Sequence, residues 1–138
     1  MIKVICKYAR LSDVPNSSAL DNYRQDVNPL DYDFYLTGGI FYQVLGVTCR
    51  SSIPWLYIVR HDEGNNIDIL PAVLFDFDWQ KVPKDWYIRI NGSTGENMEL
   101  LPEKLVHIDH WYERYIDEDP AILEIISLTI HNNSQQEG

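Results

Sequence analysis

The chain has 138 residues, 45% of them hydrophobic, and a formal net charge of -10. That is about one domain, with enough apolar material to bury some two-thirds of its unfolded surface. Residues 1–60 hold six Lys/Arg against five Asp/Glu, a net +1, while residues 61–138 hold five against sixteen, a net -11. A field of that sign attracts basic partners and repels nucleic acid, and the sequence carries no basic stripe that would read a phosphate backbone. No apolar run approaches the ~20 residues that span a bilayer, and Met1-Ile2-Lys3-Val4 leads straight into a strand-like pattern without a signal peptide. The expectation is a cytoplasmic protein that binds neither membrane nor nucleic acid. Cys6 and Cys49 both sit in apolar, strand-like segments, which suits buried free thiols better than a disulfide.

In chain order, Ile2, Val4, Cys6 and Tyr8 alternate with Lys3, Ile5 and Lys7, the period of a half-buried strand. Ser12 to Asp33 then turns to Ser, Asn, Asp and Pro. It reads as a long loop with at most one helical turn near Ala19 to Gln25, and loops of that length are often contact surfaces. Gly38-Gly39 marks a turn. Ile40 to Cys49 and Trp55 to His61 follow as strands rich in β-branched and aromatic residues, joined through Arg50 to Pro54. The turn chemistry of His61-Asp62-Glu63-Gly64-Asn65-Asn66 returns Ile67 to Leu70 beside the preceding strand, and Pro71 interrupts the ladder. Val73 to Phe77 and Trp86 to Ile90 add two short strands, separated by Val82-Pro83-Lys84-Asp85 and closed by Asn91-Gly92.

The period then changes. Apolar residues at Leu105, Ile108, Trp111, Tyr112, Tyr115 and Ile116 follow helical spacing, with Asp109 as an N-cap that leaves Lys104 to Ile108 extended. Asp119-Pro120 starts a second helix of about ten residues carrying Ile122, Ile125, Ile126, Thr129 and Ile130. Residues 132–138 have nothing to bury and read as a disordered tail behind a domain of residues 1–131. The fold class is therefore α+β: a small, bent antiparallel sheet or partial SH3-like barrel of five to six strands, with C-terminal helices packed on it.

Catalytic signatures are scarce. His107-Ile108-Asp109-His110 holds metal-type ligands and opens a metal-dependent hydrolase reading. However, the two His lie three apart without the intervening Glu of a metalloprotease helix, and no third ligand group is evident. There is no Gly-x-Ser-x-Gly elbow. Gly92-Ser93-Thr94-Gly95 lacks a following Lys or helix and reads as a turn. Asp76 and Asp78 share one face of a strand as a half-exposed pair. No cofactor, metal site or catalytic residue is expected.

Nine Tyr and four Trp exceed what a small core needs, and both types are enriched at protein interfaces. Trp55, Tyr57, Phe75 and Trp86 belong to the core, whereas Tyr32, Tyr35, Tyr112 and Tyr115 lie beside acids and can be exposed. Acids with tyrosines make a surface that can stand in for a nucleic-acid backbone on a basic enzyme. The expected binding residues are Asp62, Glu63, Asp68, Asp76, Asp78, Asp109, Tyr112, Glu113, Tyr115, Asp117, Glu118 and Asp119. A small acidic adaptor is the alternative in which the charge serves solubility alone.

One resemblance bears on this choice. Tyr35-Leu36-Thr37, Gly39, Tyr42, Val44 and Gly46-Val47, then Trp55, Tyr57-Ile58 and Asp62, then Pro71-Ala72, Leu74-Phe75 and Trp86, resemble small bacterial immunity proteins of polymorphic toxin and contact-dependent growth inhibition systems. The likeness extends through Trp111-Tyr112, Tyr115-Ile116-Asp117 and Asp119-Pro120. It implies a cytoplasmic antidote that binds the C-terminal domain of a cognate toxin and occludes its active site or substrate surface, with a basic nuclease as the natural partner.

Overall fold

The computed structural model describes residues 2–15, 17–50, 52–76, 81–91 and 97–135, with only the backbone described at 17–19, 91 and 133–135. The Gly92 to Gly95 turn and Asp78 lie outside the described residues.

Seven strands form one antiparallel sheet: β1 (Ile2–Cys6), β2 (Phe41–Arg50), β3 (Ile53–Arg60), β4 (Asn66–Pro71), β5 (Phe75–Asp76), β6 (Trp86–Asn91) and β7 (Asn97–Pro102). β2 organises them. One of its edges pairs with β3 from Gln43 to Arg50, and the other is divided between β1, along Phe41 to Val44, and β7, along Val47 to Arg50. β4 continues the sheet beyond β3, β5 beyond β1, and β6 beyond β7.

The division falls at a bulge. Val44 opposes Ile58 and Gly46 opposes Tyr57, so Leu45 is an extra residue that bends β2. Gly46 is required there. A Cβ on it would lie 2.5 Å from Leu101 Cδ2, 3.1 Å from the Leu100 carbonyl and 3.2 Å from the Tyr57 ring. The bend lets one strand serve two cores. Val44, Leu56 and Ile58 face one, and Leu45, Tyr57 and Val59 face the other.

The first core is covered by the N-terminal segment, where Leu11, Leu20, Tyr23 and Leu36 are buried. This segment includes α1 (Ser17–Tyr23), a full helix where the sequence promised one turn at most. Within residues 12–33, Leu20 and Tyr23 are buried anchors, while most of the other described side chains are exposed. The second core is covered by α2 (Glu103–Val106), α3 (Trp111–Ile116) and α4 (Pro120–Gln135), through Leu105, Trp111, Ile122, Ile126 and Ile130. Ile116, expected in that seam, is exposed.

The α+β architecture with a bent antiparallel sheet and C-terminal helices is what the periodicities predict. β7 was not anticipated, because Leu100-Leu101 breaks strict alternation. Val73 to Phe77 was expected as a strand, yet Ala72–Leu74 is a 3-10 turn and only Phe75–Asp76 pairs with β1. The cause is the Leu74 carbonyl, which accepts the amides of both Lys7 and Tyr8 and so turns the chain.

The extended reading of Lys104 to Ile108 also fails, since α2 occupies Glu103–Val106 and His110, at φ 56°, precedes α3. Asp109 does not cap. Arg89 of β6 donates to the carbonyls of Val106 and Ile108 and forms an ion pair with Asp109, holding that carboxylate away from the helix start. Asp119 behaves as expected and accepts the Ala121 amide at 3.0 Å ahead of Pro120. α4 is 16 residues long instead of about ten, so the expected boundary at 131 falls inside it.

Candidate functional site

β4 is a terminal strand of the sheet, and the acidic chemistry gathers along its outer edge. The 3-10 turn His61–Glu63 that ends β3 projects Asp62 and Glu63, and Asp68 lies on β4 itself. They converge on Arg60, whose side chain is 2% exposed. Its guanidinium lies 3.3 Å from Asp62, 3.4 Å from Glu63 and 3.2 Å from Asp68, donates to the carbonyls of Phe34 and Tyr35, and sits over the Tyr42 ring. Burial works against its charge, but the hydrogen bonds it donates to Asp62 and the three carboxylates outweigh it and hold its pKa above the ordinary arginine value. In turn the Arg60 hydrogen bond holds the Asp62 carboxyl below the usual carboxylate range. Three acids share one cation, so this corner keeps a net charge of -2 and presents it outward.

Two tyrosines from α3 complete the edge. The Ile67 amide donates to the Tyr115 hydroxyl at 2.9 Å, and the Tyr112 hydroxyl donates to the Ile67 carbonyl at 3.2 Å. Strand groups that point away from β3 are therefore capped by side chains. Tyr112 and Tyr115 were expected as exposed anchors. Instead they are half-buried, with rings 5.7 Å apart, in an aromatic cluster with Tyr57 and Trp111. Burial, with the charge of Asp68 adding to it, pushes the Tyr112 hydroxyl up to about 12.

Two hollows flank this edge and share Asp68 and Tyr112. The larger, about 830 Å³, runs between β4 and the helices and is lined by His61, Asn66, Tyr115, Glu118, Ile126 and Ile130 among others. The smaller, about 360 Å³, opens onto Tyr32, Phe34, Tyr35, Glu63 and Ile69. Tyr32 and Tyr35 are 53% and 71% exposed, which makes them the open aromatic surface of the face. With Glu118 included, four carboxylates stand against Arg60, a net -3.

Six of the expected binding residues are thus brought together: Asp62, Glu63, Asp68, Tyr112, Tyr115 and Glu118. Of the others, Asp78 lies outside the described residues and five are elsewhere. Asp76 lies on β5, at the opposite end of the strand order from β4, within 3.7 Å of Lys7. Asp109 and Glu113 line a separate hollow of about 410 Å³ with Arg50, Arg89 and Glu99, where the buried Tyr57 hydroxyl donates to Glu99 at 2.7 Å. Asp117 is exposed at the end of α3. Asp119 is spent on α4 and on Arg114, whose hydrogen bond depresses its pKa.

Missing from the expected set are Arg60, which assembles the corner, and Tyr32 and Tyr35. Arg60 left a signal, a lone cation ending an apolar strand just before two acids. Among the described residues no three His, Cys, Asp or Glu side chains form a metal-binding group, and no helix is long and apolar enough to cross a membrane. No family model, curated protein or solved structure matches the chain.

Proposed function

We propose that this chain is a cytoplasmic immunity protein that binds the C-terminal domain of a cognate bacterial toxin, a basic domain with nuclease activity, and occludes its active site or substrate surface. The observation that carries the reading is the convergence of Asp62, Glu63, Asp68 and Glu118 with exposed Tyr32 and Tyr35 around two joined hollows on one face. Clustered carboxylates complement a basic, nucleic-acid-binding surface, and the tyrosines supply rigid contact area. The motifs shared with immunity proteins of polymorphic toxin systems point the same way. The metal-dependent hydrolase reading is disfavoured by the Arg89 ion pair, which occupies Asp109.

The test is affinity for the toxin domain encoded by the neighbouring reading frame. Glu63→Lys with Glu118→Lys is expected to cost about 2 kcal/mol of binding, roughly thirtyfold, and to flatten the fall of affinity with salt. Asp76→Lys, on the far side of the sheet, serves as the control. Equal effects from both variants, with unchanged melting curves, would remove the β4 face from the proposal.

A further inference from the structure

The sheet has three terminal strands, and they are finished differently. β4 is capped at Ile67 by two tyrosine hydroxyls, and β5 is two residues long. β6 has six residues, Trp-Tyr-Ile-Arg-Ile-Asn, with strong strand propensity and no proline.

The direction of its backbone groups follows from one hydrogen bond. The Glu103 amide donates to the Asp85 carbonyl at 2.7 Å, which makes Trp86 and Pro102 a pair that does not exchange hydrogen bonds, as a proline requires. Alternation then directs the backbone groups of Tyr87, Arg89 and Asn91 toward β7, and those of Trp86, Ile88 and Ile90 outward. The Trp86 amide is taken by the Pro83 carbonyl at 3.1 Å. Among the described residues, the N–H and C=O of Ile88 and of Ile90 have no backbone partner, and their side chains are also 63% and 66% exposed. Beside them, on the same face, lie Met98, 38% exposed and opposite Ile90, and Leu100, opposite Ile88.

The geometry points to β6 as a self-association edge, paired antiparallel with β6 of a second copy of this chain about a two-fold axis at Arg89. In that register Ile88 of one copy exchanges two hydrogen bonds with Ile90 of the other, and Ile90 with Ile88. All four open groups of each strand are satisfied, and four isoleucines meet on one face.

Charge permits that partner. Residues 81–91 carry Lys81, Lys84 and Arg89 against Asp85, a net +2 that the Arg89–Asp109 ion pair reduces to +1, within the half of the chain that carries -11, so two acidic molecules repel least here. Two short strands make a small contact, so a weak, concentration-dependent dimer is expected. It is separate from the β4 face and independent of the toxin reading.

Sedimentation equilibrium on the full chain is expected to show mass rising to twice that of one chain with concentration. Salt should strengthen the association, because screening relieves repulsion between copies. Hydrogen exchange at the Ile88 and Ile90 amides should slow over the same concentration range, while that at Arg89, bonded to β7, stays constant. Ile88→Lys with Ile90→Lys should raise the dissociation constant at least about tenfold. Ile90→Pro, which removes an outward N–H without touching the β7 ladder, should do likewise.

A mass that stays at one chain, association untouched by both variants, or association that salt weakens would each overturn the proposal. Protection of Ile88 and Ile90 that appears only when a toxin domain is added would assign the edge to that partner instead.

Discussion

The two faces of the sheet are covered in opposite ways. On one, α2 to α4 lay an apolar stripe across Leu45, Tyr57, Val59 and Ile67, and periodic burial along helices does most of the holding. On the other, an irregular segment must be held by separate anchors. Tyr23 donates to the Pro54 carbonyl at 2.5 Å, Arg60 takes two carbonyls at Phe34 and Tyr35, the Phe34 amide reaches Ala9, and the Ser12 amide reaches Leu30. Regular cover spreads its stability over many contacts. Irregular cover concentrates it in a few, and the candidate docking face lies where one of those few, Arg60, ties the N-terminal layer to β4.

The largest expected effects come from removing one buried side chain from each cover. Trp111→Ala should cost about 3–5 kcal/mol and Leu11→Ala about 2–5 kcal/mol in chemical denaturation. If both transitions stay single and cooperative, the two covers fold as one unit. If Leu11→Ala lowers the denaturant slope while Trp111→Ala does not, the N-terminal layer opens by itself.

Next is Arg60→Ala, which strands two carbonyls and leaves three carboxylates together. The acids are partly exposed and solvent screens them, so about 2–3 kcal/mol is expected, most of it from the carbonyls. Proteolysis within residues 12–35 should rise in this variant and not in Trp111→Phe. Equal proteolysis in both would mean that the anchor does not hold the layer. Gly46→Ala, at the bulge that separates the two cores, should follow at about 1–3 kcal/mol, because Leu100, Leu101 and Tyr57 leave no room for a methyl group.

The contrast between the covers also explains what the sequence revealed. Helical spacing and the Asp119-Pro120 start made α4 readable, alternation made β1 readable, and β-branched and aromatic runs between turn signals made β2 to β4 readable, because these signals are local. β7 was not, since Leu100-Leu101 breaks alternation and its pairing with β2 involves residues about fifty positions away at Val47 to Arg50. Asp109 looked like a cap until Arg89, twenty positions earlier, claimed it. The acids of the β4 face were legible as turn and strand residues. That Tyr112 and Tyr115 would spend their hydroxyls on Ile67 was not, because those partners are 45 and 48 positions apart.

Removing single hydroxyls sharpens the comparison at smaller scale. Tyr23→Phe leaves the Pro54 carbonyl without its donor on the irregular face, and Tyr115→Phe leaves the Ile67 amide without its acceptor on the edge. Each should cost about 1 kcal/mol in urea unfolding. In Tyr115→Phe the Ile67 amide should also exchange faster, by about tenfold if opening costs that much less. Unchanged exchange at Ile67 would mean that the helix, and not the hydroxyl, shields the edge.

The last comparison is one of pH, and both faces share it. Burial pushes Tyr23 up to about 12 on the irregular face and Tyr112 up to about 12 beside the helices. An unfolded tyrosine ionises near 10, so folding favours the protonated form of both. Their contribution is complete below about pH 10 and is lost as the pH climbs from there to about 12. Tyrosinate absorbance recorded in that window should show three groups lagging in the native chain, Tyr23, Tyr112 and Tyr57, whose hydroxyl burial and the Glu99 carboxylate also push up, with one fewer in Tyr112→Phe and one fewer in Tyr23→Phe. If Tyr23 ionises near 10 while Tyr112 still lags, the N-terminal layer admits water that the helical layer excludes, and the two covers differ in solvent access as well as in regularity.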